Sequence, residues 1–289
     1  MSTNINFNNT LGINKRCSIT LASVAQPLLL DLYPNAQVAY SLRKLRTAYT
    51  GDCIRVRRSS DNAEQDFGFV GNNLDTSSLL TFCGVGNGFV TTWYDQSGSS
   101  NNGVMNTALN QCQVVLNGNL ILDPNTNKIT TIWGTKFYQF PVPHISPNTQ
   151  YLTLGVINRI ATNNIFVSMG NVGTLGTANG QCPVLWRANG NVDSAMQSLV
   201  THGTTTTIGA YLITSEKNSA NLKTIYLNNL ALATTSIEAP STGTNLFYFG
   251  RQGSNYTSGR VAEFVHYNSD QSINRIGIQN NINNYWNIY

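Results

Sequence analysis

Short apolar runs broken by Gly, Asn or Pro set the rhythm of this chain. Ile54 and Val56 alternate with Arg55 and Arg57, the period of two that a half-buried strand shows. Asp66–Val70 is placed to pair with that strand, and Phe89–Tyr94 reads as another. Further strand-like runs are Gln113–Leu116, Lys136–Val142, Tyr151–Ile157, Ile165–Met169 and Val184–Arg187. Thr206–Thr214, Leu222–Leu227, Leu246–Gly250 and Gly259–Tyr267 continue the series. Asn228–Asn229 predicts a hairpin turn, because Asn tolerates positive φ. Helical spacing appears in three places. Val38, Leu42, Leu45 and Tyr49 predict an amphipathic helix, started by Pro34-Asn35 and stopped by Gly51. Ser77–Phe82 predicts a short helix ended by Gly84. Ile278, Ile282, Tyr285 and Tyr289, with Trp286 beside them, predict a closing helix. Cys17–Leu32 reads as extended chain entering the domain. The pattern divides the chain into a polar arm, residues 1–14, and a single β domain, residues 15–289.

Composition strengthens the β reading. Charged residues are 10% of the chain, against about 25% in ordinary domains. Polarity comes instead from Thr, Ser, Gly and about forty asparagines, which favour strands and turns over helices. A hydrophobic content of 41% argues for a folded core. The net charge of +4 is weak, and the basic residues from Arg43 to Arg58 lack interleaved aromatic platforms, so no nucleic-acid partner is expected. The five cysteines are dispersed and odd in number, which predicts reduced, buried thiols rather than a disulfide framework or a zinc site. Met1–Thr10 has no basic segment of a signal peptide, and Pro27–Leu32 is too short to span a bilayer, so synthesis in a cytoplasm without membrane insertion is expected.

Three segments carry a family resemblance. The first runs from Ala39-Tyr-Ser-Leu-Arg-Lys-Leu through Ile54-Arg-Val-Arg-Arg-Ser-Ser-Asp61-Asn, and the second is Thr92-Trp-Tyr-Asp95-Gln-Ser-Gly98. Together they resemble the N-terminal half of the arabinofuranosidase B catalytic domain. The third, Gly259-Arg-Val-Ala-Glu263-Phe-Val-His-Tyr267, resembles the closing strand of LamG-like domains, a pattern found in bacteriophage and viral surface proteins. The resemblance implies a mainly β, concanavalin-A-like jelly-roll sandwich, to which the spacing adds an N-terminal amphipathic helix and a C-terminal helix. Buried acids need partners, so Arg55 or Arg57 pairing with Asp61 or Asp95 is expected to form a structural polar network, with a ligand-binding or catalytic role as the alternative.

The chemistry of the resembled family requires two carboxylates, and the resemblance places both in the C-terminal half. One belongs to a Gly-Gly-Asp-Asn turn before the closing strand. Here that turn reads Phe249-Gly-Arg251-Gln252-Gly-Ser-Asn255, and a neutral amide cannot transfer the proton. Asp193 is the only acid between Tyr151 and Ser215. His144, His202 and His266 are dispersed, and no GxSxG, HExxH or P-loop pattern occurs. The expectation is therefore no catalytic residue, no resident metal and no cofactor, with the Asp95–Asn102 loop as the one candidate Ca²⁺ site. The reading that follows is a non-enzymatic, homo-oligomeric virion surface protein: a head fibre, capsid decoration or tail-associated module. Its partners would be other virion proteins, copies of itself through the arm, and host surface glycans held by Trp93, Tyr94, Trp186, Asn255 and Tyr256. The alternative is a carbohydrate-active enzyme of the arabinofuranosidase kind, or a carbohydrate-binding module.

Overall fold

The computed structural model describes residues 27–143, 150–160, 169–170, 182–187, 189–195, 199–232, 236–237, 246–252 and 255–289. The expected arm, His144, and the run Ile165–Met169 up to its last residue lie outside these. The described chain is mainly β, with a large antiparallel sheet and three short α-helices, Leu29–Leu32, Thr76–Cys83 and Arg275–Trp286.

The sheet is organised around one long strand, Asn255–Tyr267. One of its edges pairs with Tyr151–Arg159, in register from Leu152 opposite Tyr267 to Asn158 opposite Arg260. The other edge takes two strands end to end: Val38–Ser41 opposite residues 263–266, and Thr131–Lys136 opposite residues 257–261. Tyr151–Arg159 pairs onward with Gly209–Lys217, which pairs with Leu222–Leu227. All nine residues of Tyr151–Arg159 are buried. That continuous burial explains why its sequence reads as an apolar run rather than an alternation. A second group centres on Ile54–Arg58, flanked by Glu64–Phe67 and Gly88–Trp93. Cys182–Trp186, Asn191–Ala195 and Leu199–Thr204 form a separate three-stranded meander.

The amphipathic helix predicted after Pro34 does not form. Val38–Ser41 is a strand, and Val38, Leu42 and Leu45 are fully buried along an extended path. Both edges of this strand are occupied: the central strand lies on one, and the Asp95-Gln96 segment bonds Ala39 on the other. With all four residues buried, period two disappears and chance spacing imitates a helix. The other two helices form where the spacing placed them. Asp75 caps the first by accepting from Ser78 N at 3.0 Å, and Gly84 at φ 56° ends it. The terminal helix buries Ile278, Ile282 and Trp286 against the sheet.

The asparagine excess has a backbone function. Among the described residues, eight of the nine non-glycine positions at positive φ are asparagine. Asn228 and Asn229, at φ 51° and 65°, turn Leu222–Leu227 into its hairpin as expected. Gly259 is needed for a different reason. It sits in the central strand at φ 146°, and a Cβ there would lie 2.6 Å from the Asn158 carbonyl oxygen of the paired strand. Gly259→Ala is expected to destabilise the fold by about 1–3 kcal/mol in urea titration; an unchanged midpoint would contradict the register described here.

Cys53, Cys83 and Cys112 are buried free thiols, as the spacing suggested. His266 is enclosed on the central strand, with Nδ1 2.8 Å from Thr153 Oγ1. Burial pushes its pKa from 6.5 down to about 3. The unfolded chain therefore binds a proton that the folded chain refuses between those values. Stability should fall as pH drops from about 6.5 toward 3, by up to about 1.4 kcal/mol per pH unit from this residue. His266→Gln should flatten that slope in chemical denaturation at stepped pH, and an identical slope would rule the assignment out.

Candidate functional site

The outward face of the Ile54–Arg58 group carries a cluster of partly exposed charged side chains. The strand buries Ile54 and Val56 and turns Arg55 and Arg57 outward. Opposite Arg55 stands Asp66, and opposite Arg57 stands Glu64. Arg55 bridges the two acids, with Nε donating to Glu64 at 2.8 Å and Nη1 to Asp66 at 2.8 Å. Tyr94 donates its hydroxyl to the other Asp66 oxygen at 2.7 Å. The side chains of Arg55, Glu64 and Asp66 are 35–37% exposed, so the cluster is open to solvent. Asp52 closes one end, beside Gly68, where an added Cβ would touch its Oδ1 at 3.4 Å. Partial burial and the charge of Asp66 raise the Asp52 pKa. Burial and the Asp66 contact push Tyr94 up to about 12. Arg57 lies over the Phe89 ring at 4.9 Å and donates to Gln111 and Asn62.

The expected pairings of this network are thus replaced by others. Asp61 pairs with Arg58, three residues away, and with the Ala63 amide. Those contacts hold its pKa well below the carboxylate range. Asp95 is buried and meets no arginine: Oδ1 accepts from Ala39 N and Ser97 N, and Oδ2 from Ser97 Oγ and Asn101 N. Gln96 completes this staple by accepting from Leu45 N and donating to the Ser41 and Arg43 carbonyls. The Tyr94–Gly98 block therefore ties the segment after Pro34 to the sheet. Its carboxylate accepts from backbone and hydroxyl donors, and no group of three or more His, Cys, Asp or Glu side chains that could hold a metal ion occurs among the described residues. The signal for the true partners was readable: Glu64-x-Asp66 alternates like Arg55-x-Arg57, and the turn between them sets the register.

The five residues expected to hold glycans separate in the structure. Trp93 is buried at 2% exposure against Tyr40 and Trp133, and Trp186 is fully buried beneath Arg159 and against Tyr211. Neither has a face for a sugar, because packing of the two rings against other aromatics supplies core volume. Tyr94 remains partly exposed on the Arg55 face. Asn255 opens the central strand and pairs with Gln252, and Tyr256 packs near Phe137 at 5.9 Å.

Other acids are committed elsewhere. Asp193 is fully buried, paired with Arg187 and accepting from Thr201 at 2.7 Å. Glu216 is enclosed by Tyr226 and Arg275, and burial raises its pKa. Glu263 accepts from Ser41, Arg43 and Trp286 and joins three elements. No described helix is long and apolar enough to cross a membrane.

Residues 33–186 match the family model of the α-L-arabinofuranosidase B catalytic domain. No curated protein matches by sequence. Among solved structures, an arabinofuranosidase complexed with arabinofuranosyl-α-1,2-xylobiose superposes with a TM-score of 0.67 at 16% identity, covering 88% of this chain. A Glu-to-Gln variant of a GH54 α-L-arabinofuranosidase, soaked with 4-nitrophenyl α-L-arabinofuranoside, gives 0.63 at 18% identity over the same 88%. This chain covers 64% of the length of each of those proteins. At these identities the likeness establishes a shared fold. The match overturns the expectation of a non-enzymatic virion protein: the matching family is that of a catalytic domain, and neither the family nor these neighbours carry a phage, capsid or fibre context. The family model spans more than half of the chain despite the changed turn, and the chain belongs to the α-L-arabinofuranosidase B catalytic-domain family.

Proposed function

We propose that this chain is a carbohydrate-active enzyme domain, built on a concanavalin-A-like jelly roll, that hydrolyses α-L-arabinofuranosyl linkages. The observation that carries the reading is the catalytic-domain match over residues 33–186. Glycoside hydrolysis needs an acid to protonate the departing oxygen and a second carboxylate to attack the sugar or activate water. With Arg251-Gln252 in the turn that the resemblance assigned to one of the acids, that carboxylate has to come from elsewhere. Among the described carboxylates, Asp52 and Asp66 fit best. Both are accessible, and partial burial together with the charge of Asp66 raises the Asp52 pKa. A carboxyl whose pKa is raised suits proton donation. Asp52 is the proton donor. Asp66, oriented by Arg55 and Tyr94, is the nucleophile or base. Glu216 also has a raised pKa, but Tyr226 and Arg275 close around it. Tyr94 and Arg57 flank the pair and are placed to contact the sugar and its aglycone.

Arabinose release from aryl α-L-arabinofuranoside, compared with aryl β-xyloside and aryl β-glucoside, tests this reading. Turnover confined to the arabinofuranoside is expected. Binding of the arabinofuranoside without any turnover, or equal turnover of all three, would overturn it.

A further inference from the structure

Beneath the Tyr94–Gly98 staple lies a polar pocket of about 210 Å³ lined by Leu30, Pro34, Asn35, Ala36, Arg46 and the Ser97–Ser99 loop. Arg46 is its charged group. Nη1 donates to the Ser97 carbonyl at 3.1 Å, and no carboxylate lies within ion-pair distance of Arg46 among the described residues. Arg43, Arg55, Arg58, Arg187 and Arg275 each have at least one carboxylate partner, whereas Arg46, like Arg57, bonds neutral oxygens only. Asp31, in the neighbouring helix, is held by Thr47 N and Oγ1 and does not line the pocket.

The loop is shaped around this guanidinium. Gly98 is at φ 97°, and a Cβ there would sit 2.8 Å from Arg46 Nη1. Any side chain at this position would press on the arginine. The loop is also held rigid from below: Ser97 directs both N and Oγ to Asp95, Ser99 N donates back to Ser97 Oγ, and Asn101 donates to the Gln37 carbonyl. A rigid loop that leaves an arginine fork without a carboxylate partner beside hydroxyl and amide groups is preorganised for a carboxylate carried on a hydroxylated ring.

We propose that this pocket is a subsite for an acidic sugar, a hexuronate, whose carboxylate Arg46 pairs and whose hydroxyls meet Ser99 and Asn35. The subsite is separate from Asp52 and Asp66 and needs no turnover, so its test does not depend on their assignment. Calorimetric titration of the full chain with tri-galacturonate should show binding. The fully methyl-esterified trimer and free acetate should each bind at least tenfold more weakly. Arg46→Gln should weaken tri-galacturonate at least tenfold, and Arg46→Lys should recover part of the loss. Gly98→Ala should weaken it similarly with an unchanged far-UV spectrum. The Asp66→Asn variant should bind it like wild type. No binding by wild type, equal binding of the ester, acetate binding as tightly as the trimer, or an unaffected Arg46→Gln would each overturn the proposal.

Discussion

Glu263→Ala is expected to destabilise the protein by about 3–5 kcal/mol, the cost of removing one partner from a buried ion pair. Arg43 donates to Glu263 through Nε at 2.8 Å and Nη2 at 3.0 Å, and both side chains are at most 5% exposed. Ser41 Oγ and Trp286 Nε1 add bonds of 2.7 and 2.8 Å. The carboxylate thus joins the Val38–Ser41 strand, the central strand and the terminal helix. Without it the guanidinium stays buried and uncompensated, and two further donors lose their acceptor. At about 2–4 °C per kcal/mol for large domains, the melting temperature should fall by roughly 6–20 °C. The double variant Arg43→Met/Glu263→Leu should recover much of this, because apolar replacements remove both desolvated charges. A shift under 2 °C for the single variant, read by scanning calorimetry, would mean that the pair is not a structural tie.

Asp66→Asn should lower kcat on an aryl arabinofuranoside at least 10²-fold, a typical contribution of one positioned acid–base group. The substitution keeps an acceptor for Tyr94 and removes the charge that pairs with Arg55. Stability should change little, since the cluster is half exposed and surface ion pairs contribute modestly. Asp52→Asn should act through pH. As the proposed proton donor it must be protonated, so activity should decline as pH climbs through its raised pKa. The variant should lose both the rate and that alkaline decline. Loss of folding in either variant, seen by circular dichroism, would place these acids in the scaffold instead.

Much of the architecture was legible because burial writes period two into strands and asparagine into turns. Ile54–Arg58, Leu222–Leu227 with its Asn228-Asn229 turn, and the closing helix were all visible in the spacing. Val38–Ser41 was not, because a strand buried throughout has no polar alternation to display. The candidate site was half legible. Arg55 and Tyr94 stand out as residues, but their partner Asp66 lies across the hairpin, while Asp61 and Asp95 are the more salient acids in the sequence. Local capping by Arg58 and backbone donors consumes those two acids. Trp93 and Trp186 looked like sugar platforms because ring type reveals nothing about burial.

The central claim is hydrolysis by a family member that lacks the expected turn acid. It is tested most directly by kcat/KM on 4-nitrophenyl α-L-arabinofuranoside for wild type, Asp193→Asn, Asp66→Asn and the Asp52→Asn/Asp66→Asn double variant. The account predicts turnover by wild type, nearly full turnover by Asp193→Asn, and at least a 10²-fold loss in both Asp66 variants. Folded wild-type protein without turnover, or undiminished turnover in the double variant, would contradict it.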